Sequence, residues 1–160
     1  MDIVMIGYAG LGGTADLARQ RRNELLRHLP ADLVNDACSM VREYPVPEEC
    51  GAYARVKVGV GGVETGLWLL GEKLCSGLDA DLRKIPIRQE TVEVCEVLGL
   101  DPYVLRGGGS WLIAVSDAEE AVSICRVRGI PAERIGETRP GAARVLRCGE
   151  IMRYLERAWL

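Results

Sequence analysis

Two glycine-rich turns, each set between an apolar strand-like segment and a segment with helical periodicity, constrain the fold more than any other feature. Residues 2–8 run into the turn at 9–13, and residues 53–58 run into Gly59, Gly61 and Gly62. Glycine suits such turns because it has no Cβ and adopts backbone conformations that are unfavourable for other residues. Strand–turn–helix units bury their apolar faces when helices pack on a sheet. The chain is therefore expected to combine a sheet with covering helices.

The rest of the chain also alternates between strand and helix patterns. Strands are predicted at 78–85, 111–115, 134–137 and 144–147, helices at 14–29, 32–44, 63–74, 88–98 and 117–128, and an amphipathic segment at 151–160. Thr14 and Asp117 stand where N-cap residues are expected. The last two strands are joined by a turn at 139–142, which predicts a hairpin. A hairpin added to alternating strands and helices favours a mixed sheet over a purely parallel, doubly wound one.

Length and composition exclude several classes of protein. A chain of 160 residues without repeats or linkers is predicted to form one domain. Its formal net charge of −3 gives no general attraction to nucleic acid or to anionic membranes. No apolar run is long enough to span a bilayer, and the N-terminus lacks a signal pattern, which predicts a cytoplasmic location. The six cysteines are scattered and His28 is the one histidine, so buried thiols are favoured over a metal site or disulfides.

The glycine turns have a functional and a structural interpretation. Backbone N–H groups at a helix N-terminus bind phosphate or carboxylate, which makes Gly12, Gly13, Thr14, Gly61 and Gly62 candidate anion-binding residues. However, neither turn fits the Gly-x-Gly-x-x-Gly or the Walker A pattern. A tight strand-to-helix turn with close backbone packing is favoured on the residues alone.

Two further positions are candidates for ligand contact. Gly108 lies in a run of three glycines before a strand, where the backbone is expected to approach a neighbouring element or a ligand closely. Arg88 opens a helix after Pro86, and its guanidinium either clamps a carboxylate or phosphate or is simply solvated. No nucleophile has a plausible base beside it in the sequence, so no catalytic residue is predicted.

The chain resembles the C-terminal domain of AIR synthase-related proteins, in the hydrogenase maturation factor-like branch. The resemblance covers nearly the whole chain and is carried by residues 2–15, 61–63, 81–96, 98–103 and 109–113. It implies an α+β fold with three α/β/α layers and a mixed sheet, partly similar to the ferredoxin-like fold. It also implies ATP-dependent chemistry that activates an amide-like oxygen, with a preceding N-terminal domain supplying most of the ATP and magnesium site.

This sequence departs from the family pattern in three places. Met1 stands where the family's C-terminal domain would begin, so the N-terminal ATP-binding domain is expected to be absent from this chain. An Asp and a Thr expected before the paired glycines correspond to positions among Val56, Lys57, Gly59 and Val60. The residues at 157–160 lack the terminal cysteine on which the maturation dehydratase acts. These departures predict a turn that has been retained while its chemistry has been lost or altered.

Two hypotheses follow from the residues and the resemblance. In the first, the chain is a stand-alone or truncated C-terminal domain that binds a ligand or assembles with other proteins, without catalysis and without a cofactor of its own. In the second, it is the substrate-binding half of an ATP-dependent synthetase or dehydratase completed by a separate N-terminal domain, and Gly61, Gly62 and Arg88 position a phosphorylated or amide-containing small molecule. A homodimer that buries Trp68, Trp111 and Trp159 is also predicted.

Overall fold

A computed structural model describes residues 1–157 and shows a mixed sheet with helices on both faces. The strands are β1 (Asp2–Ile6), β2 (Ala54–Lys57), β3 (Gly77–Asp81), β4 (Trp111–Val115), β5 (Ala132–Arg139), β6 (Arg144–Cys148) and β7 (Ile151–Tyr154). The helices are α1 (Leu11–Gln20), α2 (Arg22–Leu26), α3 (Ala31–Cys38), α4 (Gly62–Leu74), α5 (Gln89–Leu98) and α6 (Ala118–Val127). Short 3-10 turns lie at Glu48–Cys50, Leu82–Lys84 and Pro102–Val104.

The seven strands of the described chain form one sheet in the order β2-β4-β1-β5-β3-β6-β7. Strands β3 and β6 are parallel, and the other described strand pairs are antiparallel. The predicted mixed sheet is confirmed, but the predicted hairpin is wrong. Strand β3 lies between β5 and β6, so the turn at 139–142 begins a crossover. A turn motif specifies a change of direction and does not specify which strand the chain pairs with next.

The sheet is buried on both faces around its inner strand β1, which is apolar at every position from Ile3 to Ile6. Successive strand residues point to opposite faces. On one face, Ile3 and Met5 share a core with α4, whose Val63, Leu67 and Leu70 are fully buried. On the other face, Val4 and Ile6 share a core with residues of α6. The expected three-layer α/β/α arrangement is thereby confirmed.

A third cluster of buried residues holds helices α1, α2, α3 and α5 together beside the sheet, and its members are Ala18, Leu25, Val34, Ala37 and Val94. No helix of the described residues is both long enough and apolar enough to cross a membrane.

Several element boundaries differ from the sequence predictions. Thr14 is not the N-cap of α1: that position is Gly10, with a φ of 70°, and Thr14 lies buried within the first turn. The helix predicted at 14–29 is divided at Arg21 into α1 and α2. The helix predicted at 32–44 ends at Cys38, and the N–H groups of Arg42 and Tyr44 instead donate to the carbonyls of Gly108 and Gly109. The strand predicted at 78–85 ends at Asp81, whose carboxylate accepts a hydrogen bond from the Arg83 N–H and starts a 3-10 turn.

Predictions for the last residues divide into two parts. The segment at 151–160 begins as strand β7, which pairs with β6 in a hairpin. Trp159 and the other residues at 158–160 lie outside the described residues.

The predicted cap of α6 is confirmed: Asp117 is its N-cap and accepts a hydrogen bond from the Glu120 N–H.

Candidate functional site

Both glycine turns lie at the same end of the sheet. Ile6 and Lys57 each pair with Trp111, so the ends of β1 and β2 meet the beginning of β4. The loop before α5 joins them, because the Ala9 N–H donates to the carbonyl of Pro86 at 2.8 Å. The N-termini of α1, α4 and α5 therefore converge on one region, which also contains the glycine run before β4. We call this region the glycine end.

The turn before α1 is sealed by the segment at 105–108. A Cβ at Gly12 would collide with the carbonyl oxygen of Gly107 and lie 2.7 Å from the Arg106 guanidinium carbon. The Gly13 N–H donates to the carbonyl of Arg106 at 2.9 Å. The Thr14 hydroxyl donates to Thr91 Oγ1 at 3.0 Å, and both side chains are fully buried. These groups therefore make their hydrogen bonds and packing contacts within the fold.

The turn before α4 is sealed on one side and open on the other. Gly61 and Gly62 have φ angles of 84° and 68°, and a Cβ at Gly62 would lie 2.5 Å from the carbonyl oxygen of Tyr103. Gly59 and Val60 are exposed, and no titratable side chain stands in the turn itself. The nearby Lys57 amine is bound to the Glu43 carboxylate at 2.9 Å.

Gly108 lies against the turn before α1, where a Cβ would come within 2.8 Å of the Gly12 backbone nitrogen. Its carbonyl accepts a hydrogen bond from the Arg42 N–H at 3.3 Å. The structure thus brings the predicted glycines together, and it does so through close backbone packing. Ligand binding by Gly12, Gly13, Thr14, Gly61, Gly62 and Gly108 stays a prediction.

Arg88 lies at the N-cap of α5 with its guanidinium carbon 5.5 Å from the ring centroid of Tyr8. Its side chain also pairs with the Glu90 carboxylate at 3.3 Å. The hydrogen bond and the charge of Glu90 raise the pKa of Arg88. Burial alone would raise the pKa of Glu90, but backbone hydrogen bonding and Arg88 lower it below its ordinary value. The pair is therefore ionised at neutral pH.

Sequence reasoning missed the residues that surround Arg88. Tyr8, Arg42, Tyr44 and Arg88 line a cleft of about 390 Å³, together with Leu11, Asp36, Ser39, Met40 and Glu90. Arg42 lies over the ring of Tyr44, with 5.4 Å between the guanidinium carbon and the centroid. We call this the arginine–tyrosine cleft. The sequence predicted a helix through Tyr44, and it gave no signal that Arg42 and Tyr44 would meet Arg88.

Metal ligands and reactive thiols do not assemble at the glycine end. Across residues 1–157, no three His, Cys, Asp or Glu side chains are placed to hold a metal ion. Residues 59–62 carry no acid or hydroxyl, and Glu64 in the first turn of α4 is paired with Arg153, so the residues present do not fit a magnesium–ATP site by themselves. Cys50 and Cys125 lie 3.8 Å apart between sulfurs, and burial raises the pKa of Cys125 to about 12, which keeps that thiol protonated.

Comparison with curated proteins finds two relatives in hydrogenase maturation. The chain is 32% identical over 91 residues to carbamoyl dehydratase HypE of Rhodobacter capsulatus, which covers 57% of the chain and 26% of the relative. It is 38% identical over 80 residues to a putative hydrogenase expression/formation protein of Methanocaldococcus jannaschii, covering 48% of the chain and 24% of that protein. No protein-family model matches the chain.

Solved structures extend the similarity to the whole fold. Escherichia coli HypE superposes with a TM-score of 0.72 at 23% identity, covering 97% of this chain and 49% of that one. A HypE in complex with ATP gives a TM-score of 0.73 at 19% identity, covering 99% of this chain and 51% of that one. A thiamine-monophosphate kinase from Stenotrophomonas maltophilia gives 0.59 at 19% identity, covering 91% of this chain and 49% of that one.

The chain therefore spans about half the length of the HypE structures that it matches, and the sequence alignments cover about a quarter of the curated relatives. Sequence similarity to HypE and a shared fold with HypE and the other AIR synthase-related proteins agree with each other. The chain is a HypE-like domain with the PurM-like fold of the AIR synthase-related proteins.

Proposed function

We propose that this chain is the C-terminal domain of a HypE-like protein and acts as a non-catalytic module that assembles with a nucleotide-binding domain. HypE structures are about twice as long as the region that this chain matches. One of them is in complex with ATP, and another is a complex of HypE with HypF. These neighbours support a function that depends on a second domain or a second protein.

The observation that carries the proposal is the composition of the α4 turn. The turn keeps the left-handed glycines that open a helix in this fold, but Gly59 and Val60 stand where the family resemblance places polar and acidic groups. The N–H of Gly62 is also engaged, because it donates to the Gly59 carbonyl at 3.1 Å. Residues 59–62 therefore have no side chain that could move a proton or bind magnesium, and Glu64, in the helical turn that follows, is paired with Arg153.

An apolar patch at the glycine end supports the assembly role. Val60 is 73% exposed at the tip of the α4 turn, and Val104 is 44% exposed. The turn that carries Val60 lies against the backbone that carries Val104, because a Cβ at Gly62 would lie 2.7 Å from the Val104 carbonyl carbon. Burying exposed apolar side chains favours association. We propose that the nucleotide-binding domain covers this patch.

ATP hydrolysis measured on the purified 160-residue chain tests the absence of catalysis. We expect no magnesium-dependent turnover from the chain alone, with full-length E. coli HypE as the positive control for the assay. Turnover by the isolated chain at a rate near that of the control would contradict the proposal.

Calorimetric titration of the chain with the isolated N-terminal half of E. coli HypE tests assembly. Val60→Asp and Val104→Asp should each weaken the association, because each places a carboxylate in the proposed apolar interface. Ile151→Asp is the matched control, since Ile151 is 74% exposed but lies on the edge strand β7. Equal weakening by all three variants would show that the patch is not the interface.

A second candidate function is favoured by Arg88, which lies in a cleft with a second arginine. In this alternative the chain is the substrate-binding half of an ATP-dependent synthetase or dehydratase and holds a phosphorylated or amide-containing small molecule. ATP turnover that appears only when the N-terminal half is added would favour this alternative over a purely structural module.

Homodimerisation and a cytoplasmic location stay predictions. Trp68 packs under Arg144, with 4.2 Å from the guanidinium carbon to the ring centroid, and Trp111 is partly buried next to Lys57. These two tryptophans therefore have contacts within the chain. Light scattering measures whether the purified chain is a dimer.

A further inference from the structure

We propose that the arginine–tyrosine cleft binds a small, flat organic molecule that carries one oxyanion group, a carboxylate or a phosphate. The proposal rests on the geometry of the cleft and does not require assembly with a nucleotide-binding domain. Its four principal residues are Tyr8, Arg42, Tyr44 and Arg88. The sequence singled out Arg88 but did not group it with the other three.

The aromatic wall of the cleft is held in place by the surrounding backbone. The ring centroids of Tyr8 and Tyr44 lie 6.3 Å apart at an angle of 68°, an edge-to-face arrangement. The Tyr8 carbonyl accepts a hydrogen bond from the Ser110 hydroxyl at 2.6 Å, and the Tyr44 N–H donates to the Gly109 carbonyl at 3.0 Å. A rigid aromatic wall suits a flat ligand because little side-chain freedom is lost on binding.

Glycine at position 7 makes this wall possible. A Cβ there would lie 2.7 Å from Cδ2 of the Tyr44 ring, and its φ of 87° is unfavourable for other residues. The ring of Tyr44 therefore packs directly on the backbone that carries Tyr8. The same close approach leaves Tyr44 only 8% exposed.

Hydrogen-bond donors dominate the polar side of the cleft. Among residues 1–157, Arg42 has no acidic partner within 4 Å. Its guanidinium group makes a cation–π contact with the Tyr44 ring. Burial raises the pKa of Tyr44, more than the charges of Arg42 and Arg88 lower it. The Tyr44 phenol is therefore protonated at neutral pH and can donate. Two guanidinium groups and a protonated phenol are suited to an oxyanion.

The acidic residues of the cleft limit the charge of the ligand. Glu90 is paired with Arg88, and Asp36 also lines the cleft. These carboxylates would repel a polyphosphate, whereas one carboxylate or phosphate monoester can be matched by Arg42. The cleft volume of about 390 Å³ suits a small molecule. Leu11 and Met40 add apolar surface for its flat part.

Isothermal titration calorimetry of the full chain with benzoate and with phenyl phosphate tests the proposal and separates the two sources of oxyanion. We expect at least one of them to bind with a Kd of about 0.1–1 mM. Inorganic phosphate and benzyl alcohol should bind at least about tenfold more weakly, because each offers only half of the recognised chemistry.

Arg42→Gln and Arg88→Gln should each weaken that binding about tenfold, as expected for the loss of a charge-assisted hydrogen bond. Arg126→Gln is the matched control, since Arg126 is an exposed arginine of α6 that pairs with Glu133. Thermal unfolding of each variant confirms that it is folded. The proposal is overturned if neither probe binds, if ATP binds more tightly than both, or if the control weakens binding as much as the cleft variants.

Discussion

The two helices that begin with glycine turns at the glycine end differ in how their first residues are packed. Gly10 caps α1 and Gly61 caps α4, both in the left-handed conformation. In α1 the second helical residue, Gly12, is closed in by Arg106 and Gly107, and the turn is fully buried. In α4 the first helical residue, Gly62, is closed in by backbone, whereas Val60 just before the cap is exposed.

The difference shows that a glycine turn is not by itself an anion site. The turn before α1 packs against the segment at 105–108 so closely that a side chain at Gly12 would collide with it. The turn before α4 has an exposed tip and is the one of the two that a partner or substrate can reach. Close packing at the α1 turn is therefore expected to matter more for stability, and the α4 turn offers the more exposed surface.

The largest expected effect comes from Gly12→Ala. The added methyl would collide with the Gly107 carbonyl and contact the Arg106 guanidinium, and backbone cannot move aside as a flexible side chain can. We expect the free energy of unfolding to fall by about 2–3 kcal/mol or more. Urea denaturation followed by circular dichroism measures the change.

Gly59→Ala is the control for this substitution, since a Cβ at Gly59 would meet nothing within 4 Å. It should change the free energy of unfolding by no more than about 0.5 kcal/mol. Similar losses for the two variants would mean that the α1 and α4 turns do not differ as described.

Much of the fold could be predicted because local patterns and tertiary structure agree. Strand β4 has the predicted bounds, and Asp117 caps α6 as expected. The hairpin error has a physical origin: the turn at 139–142 is local, whereas the insertion of β3 between β5 and β6 depends on contacts far apart in sequence. Pairing of this kind cannot be read from the turn residues.

The candidate site was predicted less completely, for a similar reason. Arg88 was identified because it opens a helix, but Arg42 and Tyr44 come from a segment without regular secondary structure. Their positions are fixed by hydrogen bonds to Gly108 and Gly109, which are more than sixty residues away. Thr14 was placed at a cap because threonine favours that position, yet burial against Thr91 decides its role.

A threonine stands four residues after each glycine cap, and its substitution gives a second comparison of the two turns. The expected effect is smaller than that of Gly12→Ala. Thr14→Val removes the hydroxyl that donates to Thr91 in a fully buried pair and should cost about 1–2 kcal/mol of unfolding free energy. Thr14→Val combined with Thr91→Val should cost less than the sum of the single changes, because no buried hydroxyl is left without its partner. Both comparisons use urea denaturation.

Thr65→Val is the matched control, since Thr65 follows Gly61 as Thr14 follows Gly10. Thr65 is only partly buried, so its substitution should change the free energy of unfolding by about 0.5 kcal/mol or less. Additive effects at Thr14 and Thr91, or an equal loss at Thr65, would contradict the view that the α1 turn is the more tightly packed one.

The smallest expected effect concerns the third helix that begins at the glycine end. The first turn of α1 contains no acid, whereas that of α5 contains Glu90, whose pKa is lowered by its backbone hydrogen bond and by Arg88 in spite of burial. A lowered pKa means that the ionised carboxylate stabilises the fold above the ordinary value of 4.5, and that this contribution is lost as the pH falls through the lower folded value.

Glu90→Gln should therefore lower stability at pH 7 by about 0.5–1 kcal/mol and reduce the further loss between pH 5 and about pH 3. Urea denaturation at these pH values measures both. Glu96→Gln, on an exposed position of the same helix, is the control and should leave the loss between pH 5 and pH 3 as large as in the parent chain. If Glu90→Gln behaves like this control, the carboxylate does not stabilise the start of α5, and the difference in charge between α1 and α5 has no energetic consequence.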